Sequence, residues 1–318
     1  DWFNYMWNDT YLACAAQHMN GSSLYQDAEG TVTNLFGRRN RRDEPRWIYI
    51  RDRESEQVWS VAYQPCLTEP QAFECRHGLG YTILSSLHDG IRCEFRLFVP
   101  RQYPGEIWTV RIRNESTRRR RLSVFSVANI ALDGVQMPYG HLTALSARFM
   151  APDNFLFFSN MSRNVVDRKY RAFMYADRPI RRWDVSRRHF LGRNKSFACP
   201  ETVMDGKLDK SVASVEPLVG AVQHDVSLAA GAVRSVNIVF GVVQDHAEAV
   251  AMRDAFDNEL KVEREFKAMK KENVSRIEGL VLDSPDEDLN RLLGVWLKHQ
   301  LHFVSNWAGF ECHAARDA

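Results

Sequence analysis

The sequence predicts a mainly β protein, a large antiparallel β-sandwich followed by helices. Three observations carry this reading. Between about Trp47 and Gly241, short alternating segments recur at hairpin spacing with almost no helical pattern between them. A parallel α/β sheet would need crossover helices, and this stretch offers none. From His246 the text turns to charged, helix-period sequence, and a strongly marked helix opens at Ser284.

The strands follow in order. "RWIYIRD" (Arg46 to Asp52) alternates, and "QVWSVAYQP" (Gln57 to Pro65) follows a charged turn. "GYTILSSLHDGIRCEFRLFVP" contains two strands around His88-Asp89-Gly90, where Asp-Gly supplies the positive φ of a tight hairpin. "GEIWTVRIRNESTRRRRLSVFSVANIAL" repeats that pattern, with a turn at Asn114 to Thr117 and the arginine run opening the return strand. In its first half Trp108, Val110 and Ile112 face one way, and Ile107, Thr109, Arg111 and Arg113 mostly the other. "GAVQHDVSLAAGAVRSVNIVFGVV" gives two more strands joined through Ala229-Ala230-Gly231.

The helices have their own signals. His246 to Leu282 places Met252, Phe256, Leu260, Phe266 and Met269 among dense charge, as in a helical segment on the surface of something larger. "SPDEDLNRLLGVWLKHQ" begins with Ser284 as N-cap, Pro285 in the first position and Glu287 closing a capping box. Leu289, Leu292, Leu293, Trp296, Leu297 and Leu301 then cover a wide apolar face that needs further helices to bury it. Gly294 inside this helix costs about 1 kcal/mol relative to alanine. After Trp307 the tail "AGFECHAARDA" loses the apolar rhythm. The expected division is a sandwich over 1–244, a helical linker over 245–283 and the start of a truncated helical barrel over 284–318.

Composition narrows the function classes. The chain has 318 residues, 45% of them hydrophobic, and a net charge of +2 that gives no argument for a nucleic-acid or membrane partner. Two basic clusters, Arg38 to Arg46 and Arg118 to Arg121, read as solvated loops or hairpin tips, with a phosphate- or sugar-facing role as the alternative. Six cysteines without a C-x-x-C pair suit reduced thiols in a cytoplasmic protein. The chain begins at Asp1 without a signal peptide, so a missing N-terminus is expected. The histidines show no metal-ligand spacing, and no Walker, Rossmann or G-x-S-x-G motif is present. No cofactor is expected.

Seven stretches carry a family resemblance: "FECRHGLGYT", "EFRLFVP", "EIWTVRIRNES", "LSVFSVANIAL", "DVSRRHFLG", "PLVGAVQHDVSLAAG" and "PDEDLNRLLGVWLKHQ". In this order they resemble the N-terminal part of the inverting glycoside phosphorylases of glycoside hydrolase family 94, formerly glycosyltransferase family 36. The resemblance implies a galactose-mutarotase-like supersandwich, a helical linker and an (α/α)6 barrel whose first helix starts at Ser284. It implies reversible phosphorolysis of a β-linked di- or oligosaccharide to an α-sugar 1-phosphate, with inorganic phosphate as co-substrate. It also implies a homodimer. Inversion needs one general acid, because phosphate is already a nucleophile and no base is required to activate it. In the family that acid is an aspartate deep in the barrel, so no catalytic residue is expected in this chain. The fragment is expected to be inactive alone.

"WNDT" (Trp7 to Thr10) lies at the wrong end to be catalytic and reads as an aromatic edge packed near the first strands, as in the family. "RRWDVSRRHFLGRNKS" combines Trp183, Arg187, Arg188 and His189 in an expected loop. Arginines suit phosphates and sugar hydroxyls, and flat aromatics stack on pyranose faces. The family's dimer makes these four residues candidates for the rim of a partner protomer's sugar site, against the plainer reading of a structural loop. Arg76, His77 and Tyr81 in "RHGLGY" are weaker candidates for a loop near the sugar, against a tight strand entry with a paired histidine. Two alternatives stay open: a carbohydrate-contacting or dimer-forming module without turnover, and the matching region of a membrane-associated cyclic β-1,2-glucan synthase.

Overall fold

The computed structural model describes residues 2–28, 32–36, 46–134, 145–160, 171–193, 195–279 and 283–314. Among these, two nine-stranded sheets are built entirely from antiparallel neighbours. The first holds β1 (Asn4–Trp7), β2 (Tyr11–Ala15), β3 (Ser23–Gln26), β4 (Val32–Phe36), β5 (Arg46–Asp52), β6 (Val58–Ser60), β11 (Arg120–Gly134), β15 (Arg182–Ser186) and β17 (Leu218–Leu228). The second holds β7 (Ala72–Gly78), β8 (Tyr81–His88), β9 (Ile91–Phe98), β10 (Gly105–Asn114), β12 (Leu145–Met150), β13 (Phe155–Asn160), β14 (Arg171–Ala176), β16 (Ala213–Ser214) and β18 (Val233–Val243). The mainly β sandwich expected from the sequence is therefore present.

Period-two alternation places the core. Trp108, Val110 and Ile112 of β10 point between the sheets with Phe95, Val124 and Ile238, while Arg111 and Arg113 are exposed. The β8–β9 turn forms as read: Asp89 (φ 44°) and Gly90 (φ 72°) both occupy the left-handed region that a type I′ turn requires.

The reading of Gly105 to Leu132 as a hairpin is corrected. β10 pairs with β9 and β18, whereas β11 pairs with β4, β5 and β17 in the other sheet. The Asn114 turn is an arch between sheets, and the Ala229 turn between β17 and β18 is a second one. Asn114 ties the two arches together by donating to the carbonyls of Arg118 (2.7 Å), Leu228 (3.1 Å) and Ala229 (3.1 Å).

The reading of the arginine clusters as solvated holds for Arg118, Arg119 and Arg121, which are exposed, and is corrected for two members. Arg120 is buried, donating to Asp52 at 2.6 and 2.8 Å and to Asp89 at 2.9 Å. Arg46 is buried against Glu106. Residues 38–45 of the first cluster lie outside the described residues.

Helices cover the outer faces. α1 (Arg187–Leu191) and α2 (Glu201–Met204) lay Phe190 and Val203 over Trp47, Tyr49, Phe125 and Val219 of the first sheet. α3 (His246–Ala255) and α4 (Glu259–Ile277) press Met252, Phe256, Val262, Phe266 and Met269 onto Phe98, Ile107, Phe173 and Val239 of the second. Each fully buried large apolar side chain contributes about 1.5–3 kcal/mol.

The last helical stretch comprises α5 (Glu287–Arg291), a π-helical turn over Leu292–Trp296 and α6 (Leu297–Ala314). Its cap is Asp286 rather than Ser284: the Asp286 carboxylate accepts from the amides of Asp288 and Leu289, both at 3.0 Å. Ser284 instead accepts from the Asp286 amide at 3.2 Å and donates to Asn290 at 2.7 Å. Gly294 falls within the π turn, where the Leu297 amide reaches back to Leu292. Helix continues past Trp307 to Ala314, across a kink at Trp307 itself. Side chains beyond Trp307 lie outside the described residues.

Candidate functional site

The four principal candidates sit on β15 and α1, so the expected loop is a strand running into a short helix. Ser186 ends the strand and caps the helix: its hydroxyl accepts from the His189 amide at 3.2 Å and donates to Glu216 at 2.9 Å. Burying Phe190 on the first sheet orients this single turn and leaves Arg188 and His189 exposed.

The structure does not present the four residues as one surface. Trp183 is stacked on Phe149 at 4.0 Å, and the Lys210 ammonium lies 5.0 Å from its ring centre, so its faces are occupied. Arg187 lies over the Phe197 ring at 5.1 Å. His189 approaches Asp209 at 3.7 Å. Arg188 and His189 do line one open cleft of about 990 Å³, together with Arg193, Glu201, Asp205 and Asp209. Mixed charge and hydroxyl-matching donors of this kind suit a polyhydroxylated ligand better than an apolar one. Behind them Asp184 is buried and accepts from the Ser211 amide at 2.9 Å; burial raises its carboxyl pKa.

The weaker candidates occupy the β7–β8 turn. Arg76 faces Glu74 (3.5 Å) and Glu94 (3.7 Å). His77 meets Thr82 Oγ1 through Nδ1 at 3.0 Å, and burial lowers its pKa. Tyr81 packs edge-on to Phe266 at 5.3 Å, with Lys270 5.2 Å from its ring. Asn4 fastens the turn by donating to the carbonyls of Gly78 (2.9 Å) and Tyr81 (2.8 Å).

α4 closes over this turn at Gly80. Gly80 has φ +81°, and a Cβ there would lie 2.3 Å from Asn273 Nδ2 and 2.8 Å from Met269 Sδ. Left-handed backbone alone costs an ordinary residue roughly 1–2 kcal/mol. Gly80→Ala is therefore expected to lower stability by about 2 kcal/mol or more and to increase amide exchange along α4. Urea unfolding with hydrogen exchange checks this, and unchanged α4 protection would refute the coupling.

The N-terminal aromatic edge is structural in part. Tyr5 stacks on Phe303 of α6 at 4.6 Å, and Trp7 meets Phe303 edge-on at 5.2 Å. Asn8 donates to the carbonyls of Pro100 and Tyr103, both at 2.8 Å. Trp2 remains exposed.

Sequence reasoning did not single out a second cleft of about 670 Å³ between β15, β17 and β18. Its basic side chains come from separate parts of the chain, so no local motif signals it. Among the described residues there is no cluster of three or more potential metal ligands, and no helix is long and apolar enough to cross a membrane.

Residues 1–259 match the family model described as glycosyl hydrolase 94, supersandwich domain. Over 308 residues the chain is 28% identical to 3-O-beta-D-glucopyranosyl-beta-D-glucuronide phosphorylase of Paenibacillus borealis, covering 94% of this chain and 38% of that protein. It is 27% identical over 307 residues to solabiose phosphorylase of Paenibacillus borealis, covering 94% of this chain and 39% of that protein. The chain thus spans about two-fifths of the length of these relatives. A bacterial glucoamylase complexed with acarbose shares the fold, with a TM-score of 0.50 at 9% identity over 86% of this chain and 38% of that one. The paired antiparallel sheets and a family match extending from the first strand through α3 agree: this chain belongs to the glycosyl hydrolase 94 supersandwich family.

Proposed function

We propose that this chain is the scaffold portion of an inverting β-glycoside phosphorylase, comprising supersandwich, linker and first barrel helix. The whole enzyme would convert a β-linked di- or oligosaccharide and phosphate into an α-sugar 1-phosphate and a shortened acceptor. Bond cleavage would belong to a helical barrel, and the scaffold alone would turn over nothing. In this reading the enzyme is a cytoplasmic homodimer, and Arg187, Arg188 and His189 approach the partner protomer's sugar site. Two relatives that are themselves phosphorylases support the assignment.

The observation that carries the proposal is the two-faced helix at the chain's end. α6 docks on β1–β3 through Phe303 and Trp307, with His299 against Trp7 at 4.6 Å. Two residues along a helix is a rotation of about 200°, so Leu297 and Leu301 face away from that seam. Leu289, Leu292, Leu293, Leu297, Leu301 and Val304 are 38–61% exposed. A helix fixed by one stripe while offering a leucine stripe on the other side suits a first barrel helix awaiting its neighbours.

Two results are expected. Incubating the chain with phosphate and a panel of β-linked disaccharides releases no sugar 1-phosphate; phosphate-dependent release would overturn the scaffold reading. Leu292→Lys with Leu297→Lys reduces hydrophobic-dye binding and self-association without lowering the unfolding midpoint, because neither side chain is buried. Unchanged dye binding would show that the stripe is not an open interface.

A further inference from the structure

The cleft between β15, β17 and β18 gathers five cations, Arg178, Arg181, Arg182, Lys210 and Arg234, around His224. Among the described residues, none of the five makes an ion pair with a carboxylate. Arg178 donates to the Ser235 carbonyl at 3.0 Å, Arg182 to the Leu208 carbonyl at 3.4 Å and Arg234 to its neighbour's carbonyl at 2.9 Å. These bonds aim the guanidinium groups without neutralising them. The one carboxylate on the wall, Asp225, is occupied by Ser123 (2.7 Å), Gln223 (2.9 Å) and Arg53 (3.6 Å). Cations grouped in a concave surface concentrate positive potential and draw anions.

His224 is the second, independent observation. It is 7% exposed, and neither ring nitrogen has a hydrogen-bond partner. The Arg178 backbone lies close enough to favour protonation somewhat, but without hydrogen-bond geometry. Buried polar atoms are almost always partnered, so an unpartnered imidazole beside these cations sets this wall apart from the ordinary core. Forked guanidinium donors match a tetrahedral oxyanion, and the buried His224 ring lies at the floor beneath them. We infer that this cleft binds a phosphoryl group, free or carried on a sugar, with His224 beneath it and Arg181 and Arg234 at its mouth. The inference does not depend on the phosphorylase reading.

The test is calorimetric titration of the chain with inorganic phosphate and with α-glucose 1-phosphate at matched ionic strength. The imidazole nitrogen resonances of His224 are followed in parallel. Saturable binding of at least one ligand is expected, with a shift of the His224 resonances; the tighter ligand identifies the source of the phosphoryl group. Arg181→Gln with Arg234→Gln, both exposed and expected to leave folding intact, should weaken binding at least tenfold. Absence of saturable binding by either ligand, or equal affinity in the double variant, would overturn the inference. So would sodium glucuronate binding as tightly as the phosphates, which would reduce the site to unspecific charge.

Discussion

Glu106→Ala is expected to destabilise the sandwich by about 3–5 kcal/mol, because it strands a buried guanidinium. Glu106 and Arg46 are both fully buried, with Arg46 Nε donating to Glu106 at 2.5 Å and a second guanidinium nitrogen at 2.8 Å. The same carboxylate accepts from Tyr11 (3.1 Å), Ser23 (2.5 Å) and Trp108 (2.7 Å). Burial acts to lower the Arg46 pKa, but the Glu106 charge and its hydrogen bonds outweigh that and raise it. Burial and the Glu106 charge together push the Tyr11 hydroxyl well above its ordinary value. Removing the carboxylate therefore leaves one cation and three donors without their acceptor, in a place water does not reach.

The control separates the charge from the shape. Arg46→Met combined with Glu106→Leu removes both partners, and exchanging a buried pair for apolar groups is often near neutral. The double variant is expected to recover more than half of the loss seen in Glu106→Ala, measured by urea unfolding. A Glu106→Ala penalty below about 1 kcal/mol would mean that water or a rearranged donor set replaces the carboxylate.

These residues show where a sequence is readable and where it is not. Alternation around Trp108 and the Asp89-Gly90 turn are local signals, and the structure realises both. The Asn114 and Ala229 turns could not be sorted into hairpin or arch, since each kind joins two alternating strands through a short polar turn. Choosing between them depends on which strand arrives from elsewhere to pair, a long-range fact. Arg46 and Arg120 looked like members of exposed basic runs because their partners, Glu106 and Asp52, are 60 and 68 positions away. Candidate-site legibility followed the same rule. Arg187 and Arg188 of α1 stood out within one short motif, whereas His224 and its five cations spread from Arg178 to Arg234 and meet only in the fold.

Acidification from pH 7 to pH 4.5 is expected to lower stability steeply, with α6 releasing first. Burial lowers His224 and His299 from an ordinary 6.5 to about 4. The Arg178 charge adds to the effect at His224, and Arg276 and His302 add to it at His299. Both rings are neutral in the folded protein at pH 5, while in the unfolded chain they are mostly protonated. The unfolded state thus binds more protons between pH 6.5 and 4, and stability falls as pH falls across that window. A difference of 2.5 between 6.5 and 4 corresponds to on the order of 3 kcal/mol per histidine at the acid end. Asp52 acts in a lower window. Burial works to raise its pKa, but backbone amides and Arg120 outweigh that and hold it below 3.8, so its contribution is lost only on further acidification.

His299 lies in the seam where α6 meets Trp7, beside Phe303 and Trp307. Opening that contact lets the ring take up a proton at its ordinary pKa, so the protection of α6 amides relative to their intrinsic exchange rates should be lower at pH 5 than at pH 7 before the sheets open. His299→Phe is expected to remove about half of the stability loss between pH 6.5 and 4.5 and to restore α6 protection at pH 5. Phosphate-free buffer keeps any anion in the His224 cleft from distorting the profile. A midpoint that stays level from pH 7 to 4.5, or a His299→Phe profile parallel to the parent's, would show that the seam does not carry the acid response.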